Sequence, residues 1–303
     1  MDALGEFEAH RGLLFALAYR MLGSVADAED VLQDAYLRYE AVPIDTIRAP
    51  KAFLSTLVTR LCLNQLESAR ARRETYVGPW LPEPVRTDRP EPAPAVPLPS
   101  QRLEMLESIS MAFLVLLEQL TPAERAVLVL REGLGYSHAD VATAVGITEA
   151  SSRQLLTRAR RRLPGGPVRQ EADPAEHRRL LEALVAAFAS GDTVTLVDLL
   201  RADVTVVTDG GGEVKAALRP VIGRDKVIRL LTSLWPTIPP GTELTVEELN
   251  GLPGVVARLD GQPLYSLCLD VQEARVARLL IVSAPAKLRR LTPADPTNPG
   301  LPG

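Results

Sequence analysis

Residues 135–163 read GYSHADVATAVGITEASSRQLLTRARRRL and predict two short helices joined by a tight turn. Ser137 and Thr148 each stand where a side-chain oxygen can cap the free N–H groups at a helix start. Gly146 suits the left-handed backbone that ends the first of these helices. Two capped helices that meet at a glycine predict a helix-turn-helix.

The second of these helices has an apolar side and a basic side. A rotation of about 100° per residue groups its core-facing side chains: Ser152, Leu155, Leu156, Ala159 and Leu163. The opposite side carries small, polar and basic residues: Ala150, Arg153, Gln154, Thr157, Arg158, Arg160 and Arg161. Small residues let a helix approach the major groove, and arginine and glutamine reach base edges and phosphates. We therefore predict that this side binds DNA; a basic helix that faces solvent is the alternative.

Residues 1–76 predict a helical domain ahead of this motif. Ser24 can cap a helix that has Asp27 in its first turn, and the exposed side of that helix is acidic. A longer helix is predicted from Lys51 to Glu74, and basic residues cluster at its end: Arg70, Arg72 and Arg73, with Asn64 and Ser68 preceding them. Because any helix C-terminus favours cations, a structural role for this cluster is an equal alternative.

Residues 77–100 are rich in proline and predict an extended, semi-rigid interdomain linker. Trp80 and Leu81 are unusual in such a segment, because a solvated linker has no need of bulky apolar side chains. Residues 101–165 return to helix and contain the helix-turn-helix. A further helix start is predicted there at Thr121, which is followed by proline and then, two residues later, by glutamate.

Residues 173–291 change in character from helix to strand. A helix that ends near Gly191 and a second, short helix precede the predicted strands: 204–208, 243–249, 254–259, 264–271 and 275–282. Helices followed by a mostly antiparallel sheet predict an α+β domain. Asp209 and the three glycines after it predict a turn, since glycine readily adopts positive φ. We expect the tail, residues 292–303, to be disordered.

Composition and charge are those of an ordinary globular protein. The chain has 303 residues, and its formal net charge of −4 leaves room for a local basic patch. Cys62 and Cys268 lie far apart, and the histidines show no metal-ligand spacing. The sequence contains no signal peptide and no long apolar run. We therefore expect a cytoplasmic protein without a disulfide, a metal, another cofactor or a membrane segment.

Together these motifs resemble those of one protein family. DAED at residues 27–30, ARARRE at 69–74 and TPAERAVLVLREGLGYSHADVA at 121–142 are similar to regions two and four of the extracytoplasmic-function sigma factors. YVGPWLPEP at 76–84 and DGGG at 209–212 are typical of the subgroup with a fused SnoaL-like domain. The resemblance implies a multidomain protein: two all-α sigma domains, the second with a helix-turn-helix, and then an α+β SnoaL-like domain of the cystatin-like cone type.

The resemblance also implies two partners, core RNA polymerase and promoter DNA. Polymerase would bind the acidic side of the second helix: Asp27, Glu29, Asp30, Gln33 and Asp34. The −10 element would meet the loop from Val42 to Pro50 and the long helix after it: Asn64, Ser68, Arg70, Arg72 and Arg73. The −35 element would be read by the basic helix: Ser151, Arg153, Gln154, Thr157, Arg158, Arg160 and Arg161. An ordinary helix-turn-helix repressor or activator is the alternative for this half of the chain.

For the C-terminal domain we expect a regulatory role. The domain would pack on the sigma regions and on the linker at Trp80 and Leu81, and so set how the sigma regions are spaced for promoter binding. Asp209, Gly210 and Gly211 would take part in these interdomain contacts. Residues 283–288, SAPAKL, stand where many members of the subgroup carry NPDKL. The alternatives are a sensor with a small-molecule ligand and an isomerase-like enzyme. Catalysis would need an acid or base in an apolar cavity. The candidates are Asp203, Asp209, Tyr265 and Asp270. None of them stands in a catalytic motif, so we predict that this domain is not an enzyme.

Overall fold

The computed structural model describes residues 3–43, 46–74, 76–87, 110–163 and 173–292. Contacts between residues divide the chain into two compact units. The helical unit takes in residues 1–76 and 89–171, and the C-terminal unit takes in residues 77–88 and 172–303.

The described part of the helical unit consists of helices and their connections. In chain order these are α1 (Ala3–Leu22), α2 (Val25–Glu40), α3 (Pro50–Glu74), α4 (Met111–Leu117), α5 (Pro122–Leu128), a π-helical turn (Val129–Gly133), α6 (His138–Val145) and α7 (Glu149–Arg162). Within the described residues, no helix combines the length and apolar character that a membrane span requires.

Capping side chains explain where these helices begin. The Ser24 hydroxyl accepts the Asp27 N–H at 3.2 Å ahead of α2. At α5 and α6 the cap is reciprocal: Thr121 and Ser137 accept an N–H from the third helical residue, whose carboxylate accepts the N–H of the cap. Each cap satisfies donors that the helix leaves unpaired. The predicted starts of these helices are therefore confirmed.

The two helical domains that the sequence predicts separately pack together as one unit. Arg60 of α3 donates to the carbonyls of Thr143 and Ala144 at the end of α6, at 3.0 and 3.3 Å. Arg125 of α5 is buried and donates to the Met21 carbonyl at 2.7 Å. Hydrophobic periodicity shows which side of a helix is apolar but not which neighbour covers it, so this packing does not follow from the sequence pattern.

The C-terminal unit is an α+β domain, as the sequence predicts. Its elements are α8 (Pro174–Ser190), α9 (Thr193–Leu199), β1 (Leu200–Asp209), β2 (Val221–Ile222), α10 (Arg224–Leu234), a 3₁₀ turn (Trp235–Thr237), β3 (Glu243–Leu249), β4 (Leu252–Leu259), β5 (Gln262–Gln272), β6 (Arg275–Val282), α11 (Pro285–Leu288) and a second 3₁₀ turn (Arg289–Leu291). The predicted strands correspond to β1 and β3–β6, whereas α10 and the short β2 are absent from the prediction.

The sheet has the strand order β2-β1-β6-β5-β4-β3. β1 and β6 run parallel, and the other neighbours are antiparallel. One face forms a core with helices α8 to α10, which includes Leu181, Val206, Val227 and Leu279. Both faces of the central strands are covered, because residues of opposite orientation, such as Cys268 and Leu280, are buried as well.

The first part of the predicted linker lies against the C-terminal unit; we call these residues, 77–87, the strap. Its Leu81 is 1% exposed. At its far end the Thr87 N–H donates to the Glu248 carbonyl of edge strand β3 at 3.0 Å. Prolines exclude a helix here, but an extended chain can still pair with a sheet edge. The prediction of a linker from residue 77 onward is therefore corrected for the strap.

The rest of that linker and the predicted disordered tail fall on residues 88–100 and 293–303, which lie outside the described residues.

Replacing Leu81 with alanine is expected to loosen the strap. Truncating a buried leucine costs about 2–5 kcal/mol, whereas Val77 is 55% exposed and its truncation to alanine should cost little. Trypsin cleavage after Arg86, followed by mass spectrometry, measures the effect. Leu81→Ala should be cut faster than the wild type and Val77→Ala at the wild-type rate. Equal rates for Leu81→Ala and the wild type would show that Leu81 does not hold the strap.

Candidate nucleic-acid interface

Helix α7 is capped and oriented as the sequence predicts. The Thr148 hydroxyl accepts the Ser151 N–H at 3.1 Å, and Gly146 has a φ of 76° at the end of α6. Four of the five predicted core-facing side chains are buried: Ser152, Leu156, Ala159 and Leu163. The fifth, Leu155, is half-buried. The apolar side of α7 therefore packs into the helical unit.

The opposite side of α7 is open to solvent. Six of the seven side chains predicted to touch DNA are exposed: Arg153, Gln154, Thr157, Arg158, Arg160 and Arg161. The seventh, Ser151, is half-buried. The Ser151 hydroxyl lies 2.8 Å from that of Thr148 and belongs to the cap. A duplex can therefore reach every predicted residue except Ser151 without a change in the helical unit.

Three arginines of α7 are already paired with carboxylates. Arg153 binds Glu149 of the same helix at 2.7 Å. Arg160 binds Glu132 of the π-helical turn at 2.6 Å. Arg162 binds the buried Glu124 of α5 at 2.7 Å. The spacing of these residues holds no signal for the last two pairs, because each joins two different elements.

Arg158 and Arg161 differ from these three. Within the described residues neither forms an ion pair. Both are exposed on the predicted DNA side, and an arginine without a carboxylate partner keeps its full charge available to phosphate. They are the strongest candidates for contacts with the DNA backbone.

His138, the first residue of α6, lies beside α7. Its Nδ1 lies 2.9 Å from the Ser152 hydroxyl of α7. Burial lowers the pKa of His138 below its ordinary value, and the charges of Arg131 and Arg153 lower it further. Because burial disfavours charge of either sign, only the smaller contribution of the two arginines reflects positive potential beside α7.

The residues predicted for the −10 element lie on α3. Asn64 is exposed. The backbone of α3 extends to Glu74, but the side chains of the remaining candidates lie outside the described part of the structure: Ser68, Arg70, Arg72 and Arg73.

The residues predicted for polymerase contact lie on α2, and they divide into two groups. Asp30, Gln33 and Asp34 are exposed. Asp27 accepts a hydrogen bond from the side chain of a glutamine on α3, Gln65, at 3.1 Å, and Glu29 binds the guanidinium of an arginine on α1 at 2.6 Å. The first group is free to meet a partner, whereas the second is engaged within the helical unit.

A groove of about 310 Å³ borders this acidic side. It lies between α1 and α2. Its lining contains apolar and aromatic side chains, Leu4, Phe7, Leu32 and Tyr36, and polar ones, Glu8, Arg11, Glu29, Asp30 and Gln33.

In the C-terminal unit, Asp209 gathers the residues predicted for regulation. Its buried carboxylate accepts the Leu81 N–H at 2.8 Å and the Gly211 N–H at 3.0 Å. Lys287 of α11 donates to the same carboxylate at 2.7 Å. A charge that is buried to this extent is stable only with such partners. The strap, the glycine turn and α11 therefore meet at one ion pair.

Lys287 also holds the other strap residue that the sequence singled out. Its ammonium donates to the Leu81 carbonyl and lies 4.1 Å from the centroid of the Trp80 ring, within reach of a cation–π interaction. Lys287 stands in the segment that replaces NPDKL, but no sequence pattern predicts its role.

Gly210 is required by the same turn. A β-carbon at Gly210 would lie 2.3 Å from the Val214 carbonyl oxygen, so no side chain fits there. The turn predicted from Asp209 and the following glycines is confirmed, with positive φ at Gly211 and Gly212.

The carboxylates considered for catalysis each have a cationic partner. Asp203 binds Arg201 at 2.9 Å, Asp270 binds Arg278 at 2.7 Å, and Asp209 binds Lys287. Burial raises the pKa of the fourth candidate, Tyr265. These arrangements favour structural ion pairs over a general base placed in an apolar cavity.

Two family models match parts of the helical unit. The model of sigma-70 region 2 matches residues 7–72, and that of sigma-70 region 4 matches residues 110–163. The second match contains α6 and α7 and therefore the whole helix-turn-helix.

Similar proteins extend these matches over the whole chain. The ECF RNA polymerase sigma factor SigJ of Mycobacterium tuberculosis is 39% identical over 297 residues, which cover 94% of this chain and 92% of SigJ. The probable ECF RNA polymerase sigma factor SigI of the same organism is 30% identical over 285 residues and 93% of each chain. The crystal structure of the M. tuberculosis extracytoplasmic function sigma factor SigJ is similar with a TM-score of 0.76 and 35% identity, and covers 96% of this chain and 100% of that one.

Replacing both Arg158 and Arg161 with alanine is expected to weaken binding to duplex DNA without changing sequence preference, because phosphate contacts carry no sequence information. Each lost contact should lower the slope of log K against log salt by about one. Fluorescence anisotropy over a salt series measures both quantities. The matched control, Arg178→Ala with Arg179→Ala, removes two exposed arginines of α8 and should keep the wild-type slope. A wild-type slope for the α7 variant would contradict the assignment.

Proposed function

Because this chain belongs to the extracytoplasmic-function RNA polymerase sigma factors, we propose that α7 binds the −35 element of its promoters. The observation that carries this is the exposed basic side of a capped helix in the region 4 match, with Arg158 and Arg161 unpaired among the described residues. The chain is a sigma factor with a fused C-terminal SnoaL-like α+β domain.

On α7, Arg153, Gln154 and Thr157 contact base edges. Arg153 and Gln154 lie in the first half of the helix, and Thr157 lies one turn after Arg153. A recognition helix presents its N-terminal part to the bases. Arg158 and Arg161 hold phosphates. Arg160 joins them only when it leaves Glu132, so its contribution is the smallest of the three.

The −10 element binds the loop after α2 and the face of α3. The support is the region 2 match over residues 7–72 and the exposed amide of Asn64. Amide and guanidinium groups suit a single strand, whose backbone and base edges are both accessible. The basic end of α3 completes this surface: Ser68, Arg70, Arg72 and Arg73.

Core RNA polymerase binds the acidic side of α2. Asp30, Gln33 and Asp34 supply exposed polar groups without a folding role, and complementary charge sets orientation and encounter rate. Asp27 and Glu29 support that side from within, through α3 and α1.

The C-terminal unit regulates promoter recognition through the strap. The chain between region 2 and region 4 passes through residues 77–87, and docking removes these residues from the tether. Eleven residues, 77 to 87 inclusive, correspond to a reach of about 37 Å in extended chain. Once the packing of α3 on α6 opens, a docked strap therefore narrows the range of distances between the −10 and −35 elements that the protein can span.

A small-molecule ligand of the C-terminal unit is a second candidate, favoured by one observation. Val246, Leu267 and Ile281 form part of a cross-strand row on the face that packs against the helices, yet they are only half-buried. An apolar molecule could cover them. A thermal-shift screen of apolar metabolites that found no stabilising compound would count against this role.

Transcription in vitro with core polymerase tests the main proposal. The full-length chain should start transcripts at its promoters only together with core enzyme. An ordinary helix-turn-helix regulator would instead bind duplex DNA tightly alone and start no transcripts with core enzyme, and that result would refute the proposal.

The same assay tests the strap. Lys287→Met removes the cation that holds Asp209 and Leu81 and should release the strap, so transcripts should be made from promoters with a wider range of −10 to −35 spacings than the wild type accepts. Lys215→Met, at an exposed lysine beyond the glycine turn, is the matched control and should keep the wild-type range. An unchanged range for Lys287→Met would remove the support for a regulatory tether.

A further inference from the structure

Arg153 is held on the exposed side of α7 by a carboxylate of its own helix. Both terminal nitrogens of Arg153 donate to the same oxygen of Glu149, at 2.7 and 2.8 Å. Glu149 is the first residue of α7, where the helix dipole favours a negative charge. One turn after Arg153, the Thr157 hydroxyl donates to the Arg153 carbonyl at 3.0 Å. The side chains that face DNA are therefore ordered before any DNA is present.

This pair differs from the other ion pairs of α7. Arg160 and Arg162 bind carboxylates on other elements, so those pairs hold α7 in the helical unit. The Glu149 and Arg153 side chains are 50% and 54% exposed, and an exposed pair at this spacing adds little to stability. The ion pair itself therefore adds little to folding beyond what the helix dipole gives to any carboxylate in the first turn.

A carboxylate on this face also opposes DNA binding. Duplex DNA carries one negative charge for about every 1.7 Å of its axis, so Glu149 repels the phosphates that Arg158 and Arg161 attract. A neutral residue would give tighter binding to every duplex. What the carboxylate adds is a restricted direction for the Arg153 guanidinium, which a free arginine with its many rotamers lacks.

We propose that Glu149 is a positioning residue for sequence discrimination by α7, and that the base it helps to select is a guanine read by Arg153. The inference rests on the proposed −35 role of α7. Arginine pairs bidentately with O6 and N7 of guanine in the major groove. A guanidinium whose two terminal nitrogens already donate to Glu149 keeps one edge, formed by its Nε–H and the outer N–H of one terminal nitrogen, for a bidentate pair. Because Glu149 fixes the direction of that edge, Arg153 meets guanine well and the other bases poorly.

Base preferences of the holoenzyme test this. The full-length chain with core polymerase selects sites from duplexes randomised over the −35 region, and the wild type is compared with Glu149→Gln, Arg153→Ala and Glu132→Gln. Glu149→Gln keeps the size of the side chain and removes its charge. Glu132→Gln is the matched control. It also removes one carboxylate charge and one ion pair, that with Arg160, from the helical unit, but it leaves the pair between Glu149 and Arg153 intact.

We expect one guanine position whose preference falls by about fivefold or more in Glu149→Gln and in Arg153→Ala, as loss of a bidentate contact predicts. Glu132→Gln should keep that preference. On a mixed-sequence duplex, Glu149→Gln should bind more tightly than the wild type and Arg153→Ala more weakly. Opposite changes in discrimination and affinity are not expected from a residue with only a structural role.

A wild-type preference profile for either Glu149→Gln or Arg153→Ala would overturn the inference. An equal loss in Glu132→Gln would overturn it too, since the effect would then belong to net charge. The proposed function fails on a different result: if the variant lacking Arg158 and Arg161 still binds promoters as the wild type does, α7 is not the DNA-binding helix.

Discussion

A carboxylate that is removed from water must be surrounded by donors, and the carboxylate of Asp209 finds its donors in three parts of the chain. Its residue is fully buried, so its charge is tolerated only while Lys287 and the N–H groups of Leu81 and Gly211 remain in place. These partners belong to α11, the strap and the glycine turn. One ion pair thus holds the end of β1, the strap and the segment after β6 at a single place.

This ion pair bears on promoter recognition because the strap that it holds connects the two sigma regions. The strap is part of the C-terminal unit, yet it directly follows the region 2 helix and precedes region 4. The segment docks through the buried Leu81, the ion pair of Lys287 with Asp209, a second ion pair between Arg86 and Glu247 at 3.1 Å, and a short pairing with β3. The fold of the C-terminal unit and the length of the tether between the two sigma regions are therefore controlled by the same contacts.

In the helical unit, the charges of α7 divide by what they bind. Arg160 and Arg162 pair with carboxylates of other elements and support packing, Arg158 and Arg161 have no carboxylate among the described residues, and Arg153 is held within the helix. A basic stretch that looks uniform in the sequence thus contains three kinds of arginine. Only the positions of Glu124, Glu132 and Glu149 in the folded unit separate them.

Local pattern determined much of this protein. The caps at Thr121, Ser137 and Thr148 act over three residues, the exposed side of α7 follows from helical rotation, and strands β3 to β6 follow from runs of strand-forming residues; all of these could be predicted. The docking of Trp80 and Leu81 against the C-terminal domain could also be expected, from the bulky apolar pair in a proline segment. The packing of α3 on α6, the pairing of the strap with β3 and the ion pair between Asp209 and Lys287 could not be predicted. The last two residues are 78 positions apart, and their meeting depends on the strand order and on the covered second face of the sheet. Such contacts are decided by which surfaces remain to be buried once the elements have formed, and that information belongs to the tertiary structure alone.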